Sequence, residues 1–349
     1  MRAERWLLWA GALLLTACAS QPPQRVQDFG AGNDRIELKQ TAFFPNDDQS
    51  FAASALATLL YTDGLSMVGP EQVAPFINRK FAAVDQRPAL LNAARHFDRL
   101  PYVLAPTPDA VFAEVKAGTP VLVLQKLANW RYSVVIGVEP VTNRVILRSG
   151  KDGRVYQPLD EFLRGWKASD NWAMVVSDGV RVAASATQER WIAAGEAMTK
   201  AERPDLAERN AEGALKRWPG TVVPWVALGN ARYAAKNFLG AQEAYLESLK
   251  LKAENPVVRN NLALVLLERH CVDLAEQQVA KAIASETDAG LKAIYETTRV
   301  KISQYEGPSI YCPPPDDAEA PIEYEIAPLN PEKPRASRVR PKAPAKPKN

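Results

Sequence analysis

Phe43-Phe44-Pro45-Asn46-Asp47-Asp48-Gln49-Ser50-Phe51-Ala52-Ala53-Ser54-Ala55-Leu56-Ala57-Thr58 is the stretch from which the fold is read. Its second half opens a helix: Ser54 to Tyr61 is rich in alanine and leucine, which lose little freedom in helical backbone. Helical composition returns over Pro88 to Phe97 and Pro108 to Lys116. Pro120-Val121-Leu122-Val123-Leu124-Gln125 is a strand-type run with a proline start. Further strands are expected over Tyr132 to Val138 and Arg144 to Leu147, parted by a turn at Pro140 to Asn143, and over Trp172 to Ser177. Helices followed by a mainly antiparallel sheet over residues 36–178 predict an α+β domain. The chain of 349 residues has room for a second domain and tails. Its formal net charge of +3 is close to balance, so no large field dictates a nucleic-acid partner.

From Gln188 onward the texture becomes alanine-rich and helical, and a period emerges. Trp191 and Trp225 stand 34 residues apart. Gly195, Gly229 and Ala263 keep that step, as do Ala207, Ala241 and Ala275, and Ala214, Ser248 and Ala282; Leu228 and Leu262 match too. The pattern, fullest in Trp225-Val226-Ala227-Leu228-Gly229 through Ala241-Gln242-Glu243-Ala244-Tyr245, resembles the tetratricopeptide repeat. The resemblance implies an all-α solenoid: three repeats over about 188–289 and a capping helix from Gly290 to Tyr305, together 188–305. Such arrays bury a continuous core and expose a concave groove. Arg232, Lys236, Asn237, Asn260 and Asn261 fall on the inner-helix side or its turns, either as peptide contacts or as a solvated polar face.

The 36–178 region, through Phe43-Phe44-Pro45, Ala55-Leu56-Ala57-Thr58, Val121-Leu122-Val123-Leu124-Gln125 and Leu147-Arg148-Ser149-Gly150, resembles the bacteriocin-processing type of papain-like cysteine peptidase. The combination with C-terminal repeats resembles bacterial lipoproteins of that kind. In that family the active helix opens with Gln-Cys-Gly-Pro-Ala, the glutamine helping to hold the oxyanion and the helix N-terminus favouring thiolate. Aligned without gaps from Phe43, this sequence puts Ser50 at the glutamine and Phe51 at the cysteine, with Ala52 and Ala53 replacing Gly-Pro. A one-residue insertion instead puts Gln49 at the glutamine and Ser50 at the cysteine; the gapless version is preferred. The family's Trp-His-Tyr motif reads Trp130-Arg131-Tyr132 here. A guanidinium holds its proton throughout the accessible pH range and is no general base. Arg148-Ser149 occupy the region of the third catalytic member, and Asp152 is close by, in a turn.

The two histidines, His96 at a helix end and His270 in the third repeat, are expected outside any site, with a relocated-base role for His96 the alternative. No cysteine–histidine cluster has metal-ligand spacing and no phosphate-binding glycine motif occurs, so no metal or cofactor is expected. The reading is a non-catalytic scaffold that binds polypeptide through the peptidase-like cleft and the repeat groove. The alternative is a peptidase or amidase using Ser50 with Gln49 and an unconventional base.

The ends add an address. Arg2 and Arg5 precede an apolar run from Trp6, which ends in Leu15-Thr16-Ala17-Cys18. This resembles the bacterial lipobox. It implies a signal peptide over 1–17, lipidation of Cys18, a tether over 18–35 carrying Pro22-Pro23, and membrane attachment through the lipid. Ala19 rather than aspartate implies the outer membrane, facing the periplasm. In that oxidising compartment Cys271 and Cys312 are expected to pair, with two free thiols as the alternative. Residues 313–349 open with Pro313-Pro314-Pro315 and continue with lysines and arginines spaced by prolines. They read as an extended tail that either contacts anionic envelope polymer or an acidic partner, or only solubilises.

Overall fold

The computed structural model describes residues 23–45, 51–77 and 85–313. Cys18, Gln49, Ser50, the signal segment and the tail beyond Pro313 lie outside them.

A short strand, β1 (Ile36–Glu37), leads to helix α1 (Phe51–Thr62). Every residue of α1 from Phe51 to Leu60 is buried, as expected of a helix apolar on all sides. Its polar members turn inward on the helix itself: Thr58 Oγ1 donates to the Ser54 carbonyl at 2.9 Å. Helices α2 (Pro70–Val73) and α3 (Arg87–His96) pack beside it. The sheet then forms from β2 (Leu100–Val103), β3 (Val121–Lys126), β4 (Trp130–Glu139), β5 (Arg144–Ser149), β6 (Asp152–Pro158) and β7 (Ala173–Ser177). Helix α4 (Pro108–Lys116), capped by Thr107, precedes β3; α5 (Leu159–Lys167) precedes β7. The strand order is β2-β7-β3-β4-β5-β6, with β1 also pairing β4, and every pairing is antiparallel.

Both faces of the sheet are covered, which is why β3 is apolar at successive positions. Val121 and Val123 enter one core with Val135, Val145 and Leu147, under α4 and α5. Leu122 and Leu124 enter the other with Val134, Ile136 and Ile146, under α1 and α3.

Seven helices follow: α6 (Gln188–Lys200), α7 (Pro204–Arg217), α8 (Val222–Ala234), α9 (Phe238–Leu251), α10 (Pro256–Glu268), α11 (Val272–Ser285) and α12 (Ala289–Ser303). The starts of α6, α8 and α10 recur at 34-residue steps, as do those of α7, α9 and α11. The small-residue column has a steric cause: a Cβ on Gly229 would lie 2.4 Å from the Tyr245 ring of the paired helix. Cys271, just before α11, is joined to Cys312 by a disulfide with Cα atoms 5.5 Å apart. No helix among the described residues is long and apolar enough to cross a membrane.

The helices are fused to the sheet. One apolar core runs from the strands into Trp191, Ile192, Met198, Leu206 and Ala214. Trp191 is fully buried; its ring lies 5.4 Å from Tyr102, and its Nε1 donates to the Asn210 carbonyl at 3.0 Å. Polar clamps flank it. Glu114 Oε1 accepts from Ser185 N and Oγ at 2.8 and 2.7 Å. Asp63 accepts from Arg99 at 2.5 Å and pairs with Arg181.

Three features differ from the sequence-based expectation. The sheet gains β1, β2 and β6, and α5 appears between β6 and β7. Asp152, expected in a turn, is the first residue of β6 and pairs with Ser149. The polar residues expected to line a repeat groove are largely engaged within the array. Asn237 caps α9 through Gly240 N, Arg232 pairs with Glu208 at 2.8 Å, and Asn261 donates to Asn230, while Asn260 is buried with its Oδ1 unpartnered among the described residues.

Candidate functional site

Phe51 and Arg131, the residues aligned with the nucleophile and the base, are brought into contact. Phe51 is the first residue of α1 and is 8% exposed. Arg131 is the second residue of β4, opposite Gln125 on β3. Its Cζ lies over the Phe51 ring, 4.8 Å from the centroid. The turn between β5 and β6 closes on the same guanidinium: Gly150 adopts a positive φ of 65°, and a Cβ there would meet Arg131 Nη1 at 3.7 Å. A half-buried guanidinium over an aromatic face is worth about 0.5–1 kcal/mol.

The pair lines a cleft of about 560 Å³. Its floor carries a run of hydrogen bonds. Buried Gln125 donates through Nε2 to Gln157 Oε1 at 3.2 Å and to the Phe162 carbonyl at 3.4 Å. Gln157 Nε2 donates to Glu161 Oε1 at 3.3 Å. Lys151, Asp152 and Tyr156 stand exposed at the rim. Ser149 also lines the cleft, with its hydroxyl 2.8 Å from that of Ser133.

This set of groups lacks the machinery of nucleophilic hydrolysis among the described residues. Phenylalanine carries no nucleophile, and arginine cannot take a proton. The Ser133 and Ser149 hydroxyls hydrogen-bond each other, and among the described residues neither bonds to a basic side chain. Burial pushes the Tyr132 phenol far above its ordinary range, so it keeps its proton. His96 ends α3 and stacks on Phe76, ring centroids 4.1 Å apart, rather than lining the cleft. His270 sits between α10 and α11, its Nδ1 against the Tyr305 hydroxyl. Arg148 is committed to the fold, donating to the carbonyls of Thr41, at 3.0 Å, and Gly153. Among the described residues no group of histidine, cysteine and carboxylate side chains is placed to hold a metal.

The sequence reading missed Lys151, Tyr156, Gln157 and Glu161. A signal existed for Gln125, a polar residue directly after the apolar run of β3; it is buried and must find partners. None existed for Gln157 and Glu161, which reach the cleft only because β6 and α5 fold beside β5 and β3.

No protein-family model matches the chain, and no curated protein matches it. Among solved structures, the chain is similar to the crystal structure of a protein from Bacillus anthracis described as a C39-like peptidase. The two are 17% identical, with a TM-score of 0.34; the match covers 40% of this protein and 96% of the other. At this identity and score the likeness carries no argument about chemistry. Among the described residues an α+β region comes first and a run of helices follows it.

Proposed function

We propose that the protein is a non-catalytic, polypeptide-binding lipoprotein: a papain-like domain that has lost hydrolysis, followed by a tetratricopeptide solenoid. The observation that carries this reading is the stack of Arg131 on Phe51. The positions aligned with nucleophile and base meet, as a working pair must, but are filled by groups that cannot work as one. The cleft beside them stays open, bounded by the edge strand β6 and by α5. Such a groove suits an extended peptide, held by strand-like backbone contacts and side-chain pockets. Because the candidate polar residues of the helical array are mostly engaged internally, the cleft carries the main contact and the array adds a second, weaker surface. The Cys18 lipid places the protein at the outer membrane on the periplasmic side, and the basic tail meets anionic envelope polymer.

Full-length protein expressed in bacteria and kept in its membranes is the material for the test. Serine- and cysteine-directed covalent probes are expected to leave the cleft unlabelled, and Cys18→Ser to release the protein from the membrane fraction. Labelling of Ser50 that disappears in Ser50→Ala would establish the enzyme reading instead, and unchanged membrane retention of Cys18→Ser would remove the lipid anchor.

A further inference from the structure

We propose that the cleft selects polypeptides by a carboxylate, and that Arg131 is the residue that reads it. The inference rests on the binding reading of the cleft and assigns its ligand chemistry.

Arg131 lines the cleft half-buried, yet among the described residues its guanidinium has no carboxylate within 4 Å and no hydrogen-bond acceptor. That sets it apart from the arginines committed to the fold. Arg99 and Arg181 hold Asp63, Arg232 holds Glu208, and Arg148 holds two carbonyls. A guanidinium carries five N–H donors in its plane, and those of Arg131 that face the cleft can exchange water for a ligand's acceptors.

The geometry favours a fork. Stacking on Phe51 occupies the face of the guanidinium, and the Gly150 turn lies against Nη1. The group is therefore oriented before any ligand arrives, with little ordering left to do on binding. A planar cation with in-plane donors suits a carboxylate, which accepts two parallel hydrogen bonds. Lys151 at the rim adds positive charge. The two carboxylates that also line the cleft do not neutralise Arg131: no ion pair joins it to Asp152 or Glu161, and Glu161 accepts from Gln157. These acids set a direction, with the ligand's carboxylate toward Arg131 and any cationic group toward Glu161.

The carboxylate has two sources, the C-terminus of a peptide or an aspartate or glutamate side group. Four acetylated octapeptide pools separate them: free or amidated at the C-terminus, each with or without acidic residues. Immobilised full-length protein is expected to retain pools that carry a carboxylate and to discard the amidated pool without acidic residues. Retention of the free-terminus pool lacking acidic residues assigns the C-terminus; retention of the amidated acidic pool assigns the acidic residues. Arg131→Gln is expected to lower affinity for the retained peptides by about tenfold or more. Arg131→Lys, which keeps the charge and loses the fork, loses less, and Lys151→Gln less again. The denaturation midpoint of Arg131→Gln, measured alongside, shows that the variant is folded; Arg131→Lys serves if it is not. Equal retention of all four pools, unchanged by Arg131→Gln, overturns the inference and leaves the binding reading intact. No retention from any pool overturns both.

Discussion

At the seam between sheet and helices, Asp63 holds two arginines, Glu114 takes both donors of Ser185, and fully buried Trp191 places its ring N–H on Asn210. In the cleft, Arg131 stands over a phenylalanine, and among the described residues no carboxylate pairs with it. The arginines of one region are paired and Arg131 in the other keeps spare capacity, while the seam also buries Glu114 Oε2, Tyr102 Oη and Asn210 Oδ1 with no hydrogen-bond partner among the described residues. The seam's interactions are directed inward and hold two sets of elements together. The cleft's best donor is directed at space that a ligand can fill. Substitutions at the seam should therefore move stability, and substitutions in the cleft should move binding.

The largest effect is expected from Trp191→Ala. Deleting a buried tryptophan costs about 3–5 kcal/mol, read as a lower urea midpoint. The folded fraction should still retain the same peptide pools. A loss below about 1 kcal/mol would break the comparison, because the seam would then be a loose contact. Replacing Cys271 and Cys312 together by serine comes next. The bridge spans 41 residues, for which loop entropy gives about 3–4 kcal/mol. Chemical denaturation of the double variant against the oxidised parent measures it, and peptide retention should not change. The smallest expected shift is for Arg131→Gln, within about 1 kcal/mol, since it removes a partly exposed cation–π contact. A fall of more than about 2 kcal/mol in its unfolding free energy would make Arg131 a structural residue and erase the distinction between the regions.

Much of the fold was legible where local composition and burial agree. Helix α1 is visible because Ala52 to Leu60 are helix formers buried on all sides. β3 is visible because both faces of the sheet are covered, so Val121 to Leu124 are apolar without a break. β6 escaped because it is an edge strand with a charged start, Asp152-Gly153-Arg154, and alternating exposure. β2 escaped because Pro101 interrupts it, a residue tolerated at a sheet edge. Of the candidate site, resemblance singled out Phe51 and Arg131 as two separate losses. That they touch was not readable, since they stand 80 positions apart in the sequence, with α2, α3, β2, α4 and β3 between them.

By itself the sequence determined the 34-residue period, the positions of most strands, and the absence of cysteine and histidine from the Phe51 and Arg131 positions. These depend on composition and on spacing along the backbone, which linear order preserves. The tertiary structure alone decided that Arg131 stacks on Phe51, that Gln125, Gln157 and Glu161 form one run of hydrogen bonds, and that Trp191 is buried at the seam. Each of these joins side chains distant in sequence, whose meeting is set by how helices and strands pack and not by any local preference.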